Sequence, residues 1–157
     1  MVTKKPLQTI QLGHCRMKNN LPKILISLAT VFYGTMPVIA DLNDSHLLNP
    51  SWMPHAKFHL AWLLSTNSLL ALFSIYLIWI KGKAIYAGLL GIIVMGGFWI
   101  AAFTRNFYGG LFVDPNLEIS EIMGFHPNVF AFIFVSLFLI VGTYLQFKLS
   151  KNEKGLS

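Results

Sequence analysis

The sequence predicts an all-α integral membrane protein, a bundle of four transmembrane helices with both termini in the cytoplasm. Three observations predict it. Of the 157 residues, 55% are hydrophobic and only 11% charged, where a soluble domain carries roughly 25% charge, and the mean hydropathy is +0.60. Four stretches reach the roughly 20 apolar residues that a helix needs to cross the hydrocarbon core. Ten of the twelve basic residues fall on one side of those stretches.

Residues 1–22 read as a basic cytoplasmic tail without sustained periodicity, at most a short surface helix. Cys15, the only cysteine, excludes an internal disulfide framework and a multi-cysteine zinc site. It reads as a plain thiol, with palmitoylation beside the membrane as the alternative.

The bundle proper is expected over 23–148, with spans near 23–40, 58–80, 84–104 and 127–147, and a second cytoplasmic tail over 149–157. The first span imitates a signal peptide, because "VIA" precedes Asp41 after a basic leader and an apolar core. The leader is too long for that pattern, so a retained span is expected. Spans two, three and four contain no Lys, Arg, Asp or Glu, and in lipid only a helix satisfies its own backbone at that depth.

The turn "KGK" forces spans two and three into an antiparallel hairpin. Small residues four apart, Thr30 with Gly34, Ala84 with Gly88, Ala87 with Gly91 and Gly97 with Ala101, are expected to let helices approach closely. Pro54 and Pro127 mark first helical turns, and "DPNLEISEIMG" reads as a short capped surface helix between spans three and four.

Charge sets the orientation. Lys4, Lys5, Arg16, Lys18, Lys23, Lys81, Lys83, Lys148, Lys151 and Lys154 share one side, whereas the two other connections hold Lys57, Arg105 and five of the six acids. The basic side is therefore expected to be cytoplasmic and the acidic loops extracytoplasmic. This topology, with anionic lipid as its partner, accounts for the net charge of +6 without nucleic acid.

The acidic side gathers the chemistry. Asp41, Asp44, Asp114, Glu118 and Glu121 share it with His46, His55, His59 and His126. On a helix starting near Pro54, the residues His55, His59, Trp62 and Thr66 form one stripe. Polar groups at such depth usually face the bundle interior or a wet cavity, so the stripe is expected to turn inward.

Three readings of this face compete. In one, His55 and His59 ligate a divalent metal, completed by His46, His126 or an acid; the intervening "AKF" lacks the Glu that serves as base in His-Glu-x-x-His zinc proteases. In the second, a metal-free pocket binds an amphipathic small molecule, with His55, His59, Asp41 and Glu121 as acid/base groups. There His46, Trp52, Trp62, Trp99, Arg105 and His126 contact the ligand, Phe103 extends the apolar wall, and Arg105 anchors an anion. In the third, the aromatic, His and Lys side chains simply anchor the interface, and Lys57 snorkels.

The run "DLNDSHLLNPSWMPHAKFHLAW" resembles an uncharacterised family of small four-helix membrane proteins with an Asp-x-Asn-x-x-His element followed by Asn-Pro-x-Trp-x-Pro-His-Ala-Lys/Arg-Phe-His. Asp41, Asn43, His46, Asn49, Pro50, Trp52, Pro54, His55, Ala56, Lys57, Phe58 and His59 carry the match, and Met53 stands where a second Pro is expected. The resemblance implies a shared feature on the acidic face. In architecture the chain is also similar to the emopamil-binding protein family of sterol isomerases, compact bundles with acidic and histidine groups in an intramembrane cavity, a likeness of architecture only.

The expected function is binding, with or without chemical transformation, of a lipid or sterol-like molecule in the outer face. A metal-dependent membrane enzyme and a non-catalytic lipid- or protein-binding scaffold are the alternatives. The sequence leaves open whether the site is catalytic and whether copies of the chain associate.

Overall fold

A computed structural model describes residues 6–112 and 126–154. Four helices follow in order: α1 (Pro6–Asp41), α2 (Pro54–Trp79), α3 (Ala84–Thr104) and α4 (Pro127–Lys154), with a 3-10 turn at Arg105–Phe107 after α3. All four carry segments long and apolar enough to cross a membrane, Asn20–Asp41, Pro54–Trp79, Ala84–Phe107 and Pro127–Glu153. The chain is a multi-pass membrane protein by this measure.

α1 begins at Pro6, so the segment expected as a tail continues the first span as helix. Extending a helix already nucleated in the bundle is far easier than starting a new one.

α2 and α4 flank the α1–α3 pair. Each touches both of those helices, α1 also touches α3 across the bundle, and no contact joins α2 to α4 among the described residues. The buried face of α1 is Ile26, Ala29, Thr30 and Tyr33, at helical spacing. It meets Ala71, Ser74 and Ile78 of α2, Ala84, Ala87 and Met95 of α3, and Val135 and Leu139 of α4.

Small residues set these approaches. A methyl group at Gly34 would overlap Ala71 Cβ, and one at Gly88 would overlap the Thr143 side chain. Of the four pairs read from sequence, three are buried in this way; Gly97 and Ala101 instead lie on the exposed side of α3, with open space where a Cβ at Gly97 would project. Gly142, which the four-residue pattern does not include, closes α4 onto Pro22 and Ile26.

Serines join the helices where apolar packing cannot. Ser68 Oγ donates to the Gly34 carbonyl at 2.8 Å, and the Tyr33 and Ser74 hydroxyls meet at 3.3 Å. The indoles of Trp79 and Trp99 donate to Ser27 Oγ at 3.0 Å and Ser136 Oγ at 2.9 Å. Within hydrocarbon, bonds of this kind are worth about 0.6 kcal/mol on average.

Candidate functional site

α2 starts without a side-chain cap. Met53 is extended (φ −61°, ψ 136°) and Pro54 occupies the first turn, where its missing N–H costs nothing and its fixed φ suits the helix. His55 and His59 follow one turn apart. Their Nε2 atoms approach to 3.0 Å, with ring centroids 4.5 Å apart and planes nearly perpendicular. A contact between two ring nitrogens at this distance needs one N–H and one lone pair, so one imidazole donates and the other accepts.

His59 also lies parallel to Trp62 at 6.2 Å and edge-on to Phe58 at 6.1 Å. The pair therefore has an aromatic flank on its deeper side, built from the same helix.

The stripe does not turn inward. His55, His59, Trp62 and Thr66 are all exposed, and Trp62 retains 61% of its accessible surface. The buried face of α2 is Leu64, Ala71, Ser74 and Ile78. The reason is close packing: Ala71 and Ser74 are small enough to let α1 approach, whereas Phe58, His59 and Trp62 are not, so the bulky stripe faces away from the bundle.

A second cluster sits on the α1–α2 loop. Asn43 closes the end of α1: its amide donates to the Ala40 carbonyl at 2.7 Å, and its Oδ1 accepts from the backbone N–H of Ser45 and His46 and from Ser45 Oγ. Asn49 builds a similar turn with Ser51. Because the Ser45 hydroxyl gives its proton to Asn43, its 2.7 Å contact with His46 Nδ1 is best met by an Nδ1–H tautomer. His46 Nε2 then points toward Asp41 Oδ1 at 3.9 Å, and Trp52 meets the same ring edge-on at 6.0 Å. Asp41, His46 and Trp52 thus come together, but no hydrogen bond, ion pair or ring contact joins them to His55–His59 among the described residues.

The remaining candidates lie elsewhere. Trp99 packs into the α3–α4 seam through Ser136 and stacks at 6.0 Å on the exposed Phe103. Arg105 donates from Nη1 to the Ala102 carbonyl at 2.7 Å and holds its guanidinium 4.6 Å from the Phe112 ring centroid. It is engaged with the end of α3 rather than with an acid of the described chain. His126 Nδ1 accepts from the Asn128 N–H at 3.2 Å at the start of α4. Glu121, Asp114, Glu118 and the expected surface helix lie outside the described residues.

No group of three or more His, Cys, Asp or Glu side chains poised to hold a metal occurs among the described residues. Two imidazoles do converge. Tetrahedral zinc, with Zn–N of 2.0–2.1 Å, separates two nitrogen ligands by about 3.3 Å, so a slight opening of the His55–His59 pair would admit the ion.

Residues 25–145 match the model of DUF6640, a family of unknown function, and the chain belongs to that family. No curated protein and no solved structure matches it.

Proposed function

We propose that this DUF6640 protein binds a lipophilic small molecule at the end of the bundle that carries the α1–α2 loop, with His55 and His59 as the group that exchanges a proton with it. The observation that carries this reading is the 3.0 Å Nε2–Nε2 contact on the exposed side of α2, flanked by Phe58 and Trp62. A paired imidazole can accept a proton on one ring while the other stabilises it, which suits acid/base work near neutral pH. The aromatic rings supply an apolar surface beside those polar atoms, the combination found in ligand sites. The outward position changes the route expected for the ligand. It would arrive laterally from the membrane, against the face of α2, rather than through a cavity inside the bundle.

A metal-binding reading is favoured by the same convergence of two ring nitrogens, one of which would give up its proton to the solvent on ligation. Two ligands from one helix leave the remaining coordination positions for water, substrate or a further protein group. The proton-exchange reading needs no additional ligand and is preferred.

The test compares wild type with His55→Gln, His59→Gln and the double variant, each purified in mild detergent. Lipophilic molecules extracted from each are identified by mass spectrometry, and metal is measured after equilibration with Zn²⁺. The proposal expects a lipophile enriched on wild type and depleted at least tenfold in every variant, with thermal unfolding unchanged. Identical lipid profiles overturn it, and loss of bound zinc alone would install the metal reading in its place.

A further inference from the structure

At the opposite end of the bundle the α2–α3 hairpin carries an apolar groove of about 370 Å³, lined by Phe73, Leu77, Tyr86, Leu89, Leu90 and Ile93. Its volume falls in the range of small-ligand sites, roughly 300–1,000 Å³. No polar surface lines it, and Phe73, Tyr86, Leu89 and Ile93 stay exposed to the surroundings of the bundle.

The groove is continuous with the basic turn. Both walls are hydrogen-bonded to Lys83, whose N–H donates to the Leu77 carbonyl at 2.7 Å while its carbonyl accepts from the Tyr86 N–H at 3.1 Å. Lys81 holds its ammonium 5.5 Å from the Tyr76 ring centroid, and Tyr76 in turn lies against Phe73 of the groove wall. Neither lysine has an ion-pair partner among the described residues. The amino end of α3, which follows directly on Lys83, has no side-chain cap and no acid in its first turn, which adds to the positive potential there.

We propose that this groove seats an acyl chain of an anionic phospholipid whose phosphate is held by Lys81 and Lys83. The charge arrangement selects this occupant over a second copy of the chain. Copies inserted with the same topology would bring their lysine turns to one level, setting four ammonium groups against each other, whereas a phosphate neutralises the two already present. A zwitterionic lipid fills the groove equally well but brings its own cation to the turn. The site is therefore selective for headgroup charge, with the groove fixing where the lipid lies.

The experiment reconstitutes the protein with phosphatidylglycerol and phosphatidylcholine in equal amounts and reads bound lipid by native mass spectrometry at rising collision energy. Wild type should retain phosphatidylglycerol in preference to phosphatidylcholine. Each lysine near an anionic headgroup contributes about fivefold, so Lys81→Gln/Lys83→Gln should lower phosphatidylglycerol retention about thirtyfold, to the phosphatidylcholine level. Ile93→Trp, which fills the groove from an exposed position, should release both lipids while Lys151→Gln changes neither. Equal retention of the two lipids by wild type, or undiminished phosphatidylglycerol on the double Gln variant, overturns the proposal. So does a mass of two chains without lipid, which would place a second copy in the groove. Unfolding temperatures matching wild type guard each variant against loss of fold.

Discussion

Replacing Gly88 by Ala probes the closest approach in the bundle. A Cβ at Gly88 would overlap Thr143 Oγ1 and come within 3.1 Å of Thr143 Cβ and 3.2 Å of Cγ2. Helical Gly is intrinsically worse than Ala by about 1 kcal/mol, so a lone propensity argument would make Gly88→Ala stabilising. Overpacking a tight seam costs about 1–3 kcal/mol and should win, because α3 and α4 meet here along buried backbone. After the propensity gain is subtracted, the expected net loss is up to about 2 kcal/mol, or up to about 8 °C of unfolding temperature for a chain of this size. Thr143→Ala removes two of the three atoms the new methyl meets. The Thr143 hydroxyl is buried without a hydrogen-bond partner among the described residues, so its removal alone should be mild. The double variant should then recover at least half of the loss, a coupling of about 0.5–1.5 kcal/mol within the range found for touching residues. Thermal unfolding of all four proteins in one detergent completes the cycle. Additivity within about 0.5 kcal/mol would refute the contact and with it the register of α3 on α4.

Ser136→Ala should destabilise by about 0.6–1.7 kcal/mol, because the Trp99 indole loses its acceptor inside the seam, and Trp99→Phe/Ser136→Ala should be little worse than either single change in the same unfolding assay. Asn43→Ala should cost about 0.5–1.5 kcal/mol for each hydrogen bond lost, and should speed hydrogen exchange at the Ser45 and His46 amides, while Asn43→Asp keeps the acceptor oxygen and so the exchange protection but loses the amide donor to Ala40 and with it part of the stability. In a Cys15→Ser background, the variants Asn116→Cys and Lys151→Cys should react with a membrane-impermeant thiol reagent from opposite sides of the membrane, with Lys151→Cys on the cytoplasmic side, as the distribution of basic residues predicts. Labelling of both from the same side would refute the four-span arrangement, and an exchange of the two patterns would reverse its orientation.

How much of this could be read from the chain depended on which physical rule governed each residue. The spans were legible because hydrocarbon excludes charge, so Lys81, Lys83 and Arg105 bracket what lies between them. The starts of α2 and α4 were legible from Pro54 and Pro127, whose ring suits a first helical turn. Which side of α2 packs was not. In a membrane both faces of a helix are apolar, and the choice is made by size, at Ala71 and Ser74 against α1, while the stripe rule weighs only polarity. The proximity of His55 to His59 follows from their spacing, but the relay from Asn43 through Ser45 to His46 depends on loop turns. Asn-x-Ser spacings at Asn43 and Asn49 were the available signal for it, since Asn side chains accept from backbone groups two residues on.

The lengths of α2 and α3 locate the histidine pair in depth. With 21 residues, α3 rises about 31 Å, close to the roughly 30 Å of a hydrocarbon core, and charged residues stand immediately at both its ends, Lys83 and Arg105. α2 has 26 residues and rises about 39 Å. The tight turn holds the ends of both helices at one level there, with Lys81 and Lys83 as its markers, so for helices of equal tilt the surplus of about 7.5 Å in α2 falls at its start. That is five residues of helix, Pro54 to Phe58, with His59 the next residue inward. Upright helices would put His55 at headgroup level and His59 at its inner edge, where water could exchange protons with them, with Trp62 at the step into the acyl region. Such a depth would lower the cost of two exposed imidazoles on a membrane helix, because the rings would keep access to water. It would also give the proposed site its chemical character: polar nitrogens within reach of solvent, and an aromatic flank within reach of a molecule still dissolved in the bilayer.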